Sequence, residues 1–112
     1  MSKMNVEFFR DDDGYARADL GKALITVAYF LEQDIQGVEE SVDQILKMAR
    51  EVETGKTPVS ESTGNAHSLT LRPGRATIEN EYDPSLPVCE LSMDDFIEIM
   101  NGWKQFISQT SK

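Results

Sequence analysis

Residues 22–53 read KALITVAYFLEQDIQGVEESVDQILKMAREVE, and the way this stretch divides decides the fold. In its second half Val38, Val42, Ile45, Leu46, Ala49 and Val52 recur at helical spacing and form one apolar stripe. Glu39, Glu40, Asp43, Gln44, Lys47, Arg50 and Glu51 occupy the positions between and charge the opposite face. The stripe must be buried against a second layer, for which a sheet is suited. The first half, Lys22 to Ile35, is apolar nearly all round, as expected of a more deeply buried helix. Gly37 lies between the halves, and a glycine inside a helix costs about 1 kcal/mol relative to alanine. Two consecutive helices are therefore expected, broken at Gly37.

On the N-terminal side, Met4 to Arg10 and Tyr15 to Leu20 are strand-like runs joined by Asp11-Asp12-Asp13-Gly14, and Asp-Gly is a strong hairpin signal. Ala16, Ala18 and Leu20 alternate with Tyr15, Arg17 and Asp19, the pattern of a half-buried strand. On the C-terminal side, Thr54 to Ala66 is rich in Gly, Ser, Thr and Pro and reads as a mobile loop. His67 to Arg72 and Ala76 to Tyr82 flank Pro73-Gly74 as a second hairpin. His67, Leu69 and Leu71 share one face of the first run, and Ala76, Ile78 and Tyr82 one face of the second. Pro84 and Pro87 make Asp83 to Leu91 an extended loop. Ser92 is a good N-cap, with Asp95 three residues on. Met93, Phe96, Ile97, Met100, Trp103 and Ile107 form the stripe of a last helix, widened by Ile99 and Phe106. The expected fold is one α+β domain over 1–112 of order ββααββα. It has an antiparallel four-stranded sheet from two hairpins, packed by three helices mainly on one face.

Twenty acidic against eleven basic residues leave a net charge of −9. That balance disfavours a nucleic-acid backbone or an anionic membrane as partner and favours a basic protein. The alternative is an acidic surface that serves solubility alone. One cysteine, Cys89, allows no intrachain disulfide and fits a reducing compartment, so a cytoplasmic location is expected. No apolar run is long enough for a membrane span, and Met1 to Asn5 lacks the apolar core of a signal peptide.

Candidate chemistry is sparse. Asp11, Asp13 and Gly14 fit part of a calcium loop. The same register puts Phe9 and Leu20 where carboxylates are required, so a solvated turn is expected and no metal. His67 and Cys89 are the only residues of their kinds and could form a thiolate–imidazole pair. No local signature presents either as a nucleophile, and both read as packing residues, His67 partly buried and Cys89 inert. A zinc site lacks ligands. There is no phosphate-cradling glycine loop, no nucleophile elbow and no basic aromatic patch. Neither an enzyme nor a cofactor is expected. What remains is acid. Glu79, Glu81 and Asp83 run along and beyond the outer face of the last strand, with Tyr82 among them, and Asp94 and Asp95 open the final helix beside them. These six residues are the expected partner-binding set, with Trp103 a second aromatic nearby. The Asp11 to Asp13 tip and the helix face carrying Glu39, Glu40 and Asp43 come next.

The order of motifs resembles the YacL-type small bacterial proteins. The residues carrying the resemblance are Val6-Glu7-Phe8-Phe9-Arg10-Asp11 with Gly14, Tyr29-Phe30-Leu31-Glu32-Gln33-Asp34-Ile35, Ala66-His67-Ser68-Leu69-Thr70-Leu71 with Gly74, and Cys89-Glu90-Leu91-Ser92-Met93-Asp94-Asp95-Phe96. Small acidic proteins similar to this serve as immunity proteins (CdiI) in contact-dependent growth inhibition. The resemblance implies binding and neutralisation of a cognate toxin C-terminal domain, often a basic nuclease such as an RNase acting on tRNA, with no catalytic residues to carry over. A housekeeping cytosolic YacL-like protein without a toxin partner is the alternative it leaves.

Overall fold

The computed structural model describes residues 6–109, so the predicted start of the first strand at Met4 lies outside the described residues. Strands β1 (Glu7–Arg10) and β2 (Ala16–Asp19) pair antiparallel, with Phe8 opposite Ala18 and Phe9 opposite Arg17. The Asp11 carboxylate closes their turn by accepting the amides of Asp13 and Tyr15 at 3.0 and 2.9 Å. Gly14, at φ 88°, takes the left-handed position. This is the solvated turn the sequence implies.

Lys22–Leu24 forms a 3-10 turn that runs into α1 (Ile25–Phe30), and α1 continues as a π-helical turn over Leu31–Ile35. The amide of Gln36 closes that turn on the Leu31 carbonyl at 2.8 Å. The helix then breaks on Gln36, at φ 57°, one residue before Gly37. Helix α2 (Glu39–Glu53) buries Val42, Ala49 and Val52, with Ile45 and Leu46 half buried. Val38, assigned to the stripe by its spacing, is exposed because it sits at the N-cap outside the helix.

The sheet differs from two paired hairpins. The β1–β2 hairpin stands alone, and a separate four-stranded antiparallel sheet runs β3 (Ser60–Thr63), β4 (His67–Arg72), β5 (Arg75–Asn80), β6 (Cys89–Ser92) in that order. β3 lies inside the stretch expected to be a mobile loop, and β6 takes up the last three residues of the stretch expected to be extended loop together with Ser92. β3 carries no apolar periodicity of its own, and β6, Cys-Glu-Leu-Ser, alternates buried and exposed over only four residues behind two prolines. β3 pairs through its backbone with β4, Ser60 opposite Leu71, and β6 with β5, Cys89 opposite Ile78. Helix α3 (Met93–Gln109) follows β6 without a loop, and the Ser92 hydroxyl accepts the Asp95 amide at 3.1 Å as the predicted N-cap.

All three helices lie on one face of the large sheet, α1 over β5, α2 over β3 and β4, and α3 over β5 and β6. His67, Leu69 and Leu71 of β4, Ala76 and Ile78 of β5, and Cys89 and Leu91 of β6 point into one continuous core with Leu31, Ile35, Phe96, Met100 and Trp103. The small hairpin is fastened by Phe8, whose ring meets Trp103 edge-on at 5.4 Å and Phe106 at 5.8 Å. Gly102 makes room for it, since a Cβ there would stand 3.1 Å from the Phe8 ring. Among the described residues no helix is long and apolar enough to cross a membrane.

Candidate functional site

Among the described residues no layer covers the outer face of the large sheet. Cross-strand register places Glu61, Thr70, Thr77 and Glu90 in one row and Thr63, Ser68 and Glu79 in the next. A third row, Arg72, Arg75 and Ser92, lies at the Pro73-Gly74 end. Hydroxyls fill the middle of this surface and charge segregates to its ends. Arg75 pairs with Glu90 at 3.0 Å, whereas Glu61, Glu79 and Glu81 make no ion pair among the described residues. Glu81, just beyond β5, accepts a short hydrogen bond from the Ser68 hydroxyl, which pins its carboxylate over this face.

The segment after β5 is built by side-chain caps. The Asn80 side-chain oxygen accepts the amides of Tyr82 and Asp83 at 2.9 and 2.7 Å. Asp83 in turn accepts the Ser85 hydroxyl at 2.6 Å and the Ser85 amide at 3.0 Å. Those bonds, the hydroxyl first, hold the Asp83 carboxyl below the usual carboxylate range, so it stays charged. Tyr82, which alternation would place on the face of Ala76 and Ile78, is instead 77% exposed, because the strand ends at Asn80. Glu79, Glu81, Tyr82 and Asp83 thus form one exposed group. Asp94 and Asp95 do not join it. The Met93 amide bonds the Gly74 carbonyl at 3.0 Å, which places the start of α3 at the opposite end of β5, about 17 Å away at the rise of an extended strand. Trp103 is fully buried, and its indole N–H donates to the Gln36 carbonyl at 2.8 Å, so it is a core residue and no surface anchor. Of the next candidates, Asp43 is bonded to Lys104 of α3 at 2.7 Å, and the Asp11 carboxylate serves its own turn.

His67 and Cys89 are not assembled into a pair. They sit on β4 and β6 with β5 between them, His67 opposite Asn80 and Cys89 opposite Ile78, about 12 Å apart at two strand spacings across and two residues along. Each has its own partners. The Cys89 thiol is buried and donates to the Ala23 carbonyl at 3.3 Å. His67 is wholly buried, where the sequence suggested partial burial, with Nδ1 at 3.2 Å from Asp34 Oδ1 and Nε2 at 3.1 Å from Asn80 Nδ2. Among the described residues no group of three or more His, Cys, Asp or Glu side chains is arranged to hold a metal ion.

A feature the sequence did not single out is a cleft of about 680 Å³ between the small hairpin and the π turn, lined by Arg10, Asp11, Tyr15, Arg17, Glu32 and Gln36. Arg17 spans it, 3.1 Å from Glu32 and 3.3 Å from Asp11. The Glu32 carboxylate, and Asp11 after it, hold the guanidinium firmly protonated. Glu32 also accepts the Ala18 amide at 2.8 Å, satisfying the free edge of β2. The ion cluster therefore closes a sheet edge, and its charges are spent on one another. No signal in the sequence joins Arg17 to Glu32, fifteen positions apart on different elements. Compared with known protein families, curated proteins and solved structures, the chain matches none.

Proposed function

We propose that this chain is an immunity protein that acts in the cytoplasm, binding and neutralising a cognate toxin domain, a basic nuclease acting on RNA, of a contact-dependent growth inhibition system. The observation that supports the reading is the outer sheet face, on which Glu61, Glu79 and Glu81 make no ion pair among the described residues. A nuclease must present cations to the phosphate backbone of its substrate. A rigid carboxylate-bearing face is complementary to such a surface, and complementarity of this kind speeds encounter and excludes wrong partners. Glu79, Glu81, Tyr82 and Asp83 form the centre of the contact, with the half-buried Thr70 and Thr77 beside them, and Asp94 and Asp95 lie outside it. Inhibition follows from occlusion, since a domain covering the cations leaves the RNA nowhere to bind.

The experiment is co-expression with the C-terminal domain of any large secreted protein whose gene lies directly upstream, followed by size-exclusion chromatography and an RNA-cleavage assay with the purified proteins. Expected are rescue of growth, a stoichiometric complex and loss of cleavage. Growth arrest that persists with the chain present, with no complex formed, overturns the reading.

A further inference from the structure

The contacts around His67 determine its protonation state. The Asn80 side chain is oriented by the backbone, because the amides of Tyr82 and Asp83 are donors and require the oxygen of Asn80 to face them. Its NH₂ group is then the atom that meets His67 Nε2 at 3.1 Å. Nε2 must offer a lone pair there. On the other side of the ring, Nδ1 faces Oδ1 of Asp34, a carboxylate that already accepts the Ala66 and His67 amides at 3.0 Å each. A carboxylate in that role accepts, so Nδ1 carries the proton. The remaining neighbour is the Phe30 ring of α1, edge-on at 6.0 Å, which is uncharged. These contacts fit the Nδ1–H tautomer, with one carboxylate on one side and an amide donor on the other. His67 is 0% and the Asp34 side chain 4% exposed, so water does not replace Asp34, and Asn80 is half-buried.

We propose that His67, Asn80 and the Tyr82–Asp83 turn form an acid-sensitive latch. Protonation of Nε2 puts two donors face to face, and the wholly buried ring is tied to Asp34 through Nδ1. The relief is rotation of the Asn80 amide by half a turn, so that its oxygen accepts from Nε2–H. That rotation points the NH₂ group at the Tyr82 and Asp83 amides and removes both caps at once. One proton on a buried ring is thereby converted into release of an exposed acidic segment. Asp34 remains bonded to Nδ1 in both states. The latch itself is independent of any partner. Its consequence, loss of partner affinity in acid, rests on the docking face proposed above.

Because the chain has one histidine, the imidazole nitrogens are read without ambiguity by ¹⁵N NMR of the full chain. At neutral pH the expected result is a protonated Nδ1 and an unprotonated Nε2. On acidification the Tyr82 and Asp83 amide signals are expected to move with the same midpoint as the ring, and their protection against hydrogen exchange, taken relative to the intrinsic rate at each pH, to fall about tenfold or more as the caps are lost. The Asn80→Asp variant separates ring charge from turn release. Its carboxylate accepts from Nε2–H and from the two amides together, so the ring is expected to hold both protons at neutral pH with the turn still capped. An Nε2–H tautomer in the wild type overturns the latch. So does a ring that titrates while the two amides stay unmoved, or one that stays neutral until the chain unfolds. A neutral ring in Asn80→Asp overturns it as well. None of these readouts involves the toxin, so failure of the latch and failure of the proposed function are told apart.

Discussion

At the scale of the residue, Asp34 does the most with the least exposure. Its two oxygens take two backbone amides and the imidazole of His67, so one carboxylate ties the π turn to the start of β4. Asp34→Asn offers one acceptor oxygen in place of two and brings a donor into a buried site. The expected loss of stability is about 2–4 kcal/mol, read as the shift in urea midpoint at unchanged slope. Gly64 belongs to the same unit. A Cβ at Gly64 would lie 2.5 Å from Asp34 Oδ2, and that oxygen is not free to move without leaving the His67 amide. Gly64→Ala is expected to cost about 1–3 kcal/mol, and a variant as stable as the wild type would show that Asp34 gives way freely. Asp11 carries the acid sensitivity of the small hairpin. The Tyr15 amide first, then Arg17 and the Asp13 amide, hold its carboxyl below the ordinary value. A group depressed on folding contributes stability that is present in full above its unfolded pKa and lost as pH falls through the folded one. Asp11→Asn should therefore flatten the fall in melting temperature below about pH 4 and leave little difference at the acid end.

At the scale of the element, the break between α1 and α2 is where local preference gives way. Gly37 is the residue suited to a left-handed conformation, yet Gln36 adopts φ 57°, ψ −134°. The reason lies across the molecule. A buried indole N–H needs an acceptor, and the Gln36 carbonyl supplies it to Trp103 at 2.8 Å. Left-handed backbone at a non-glycine residue costs about 1–3 kcal/mol and persists where its surroundings demand it. Gln36→Gly keeps the carbonyl and removes the strain, at the loss of an exposed side-chain bond to the Gln33 carbonyl. The variant is expected to melt higher, by about 1 kcal/mol of stability. Trp103→Phe tests the other end of the contact. It preserves most of the packing and strands the Gln36 carbonyl, for an expected cost of about 1–3 kcal/mol. If Gln36→Gly destabilises while Trp103→Phe is neutral, the break is held by something other than this bond.

At the scale of the whole molecule, helices cover one face of the large sheet and leave the other to water, so the acidic residues of β5 and its exit become a flat charged surface. Reversal of two of them, Glu79→Lys with Glu81→Lys, should weaken toxin binding by about 2–5 kcal/mol if the pair contacts basic groups at the centre of the interface. The same reversal at Asp94 and Asp95, at the far end of β5, should change affinity far less; thermal unfolding checks that both variants remain folded. Much of the plan behind this surface is legible along the chain. The stripes of α2 and α3, the Ser92 cap, the Asp-Gly and Pro-Gly turns and the inward alternation of β4 are local patterns, because a helix or strand with one buried face must repeat at its own period. β3 and β6 escape such reading, since an edge strand of Ser, Glu and Thr is held by backbone bonds to a neighbour and shows no period, and the alternation of β6 lasts only four residues behind two prolines. The candidate site divides the same way. Exposure and charge at Glu79, Glu81 and Asp83 follow from alternation and composition, whereas Tyr82 turns outward because Asn80 ends the strand, Trp103 is core because α3 packs on the Gln36 break, and Asp94 and Asp95 are carried away by the length of β5. Sequence by itself determined which residues are apolar, which are charged and at what period each recurs. Tertiary structure alone decided which polar side chains meet, because Asp34, His67 and Asn80, or Arg17 and Glu32, come from elements far apart in the chain and nothing local encodes their distance.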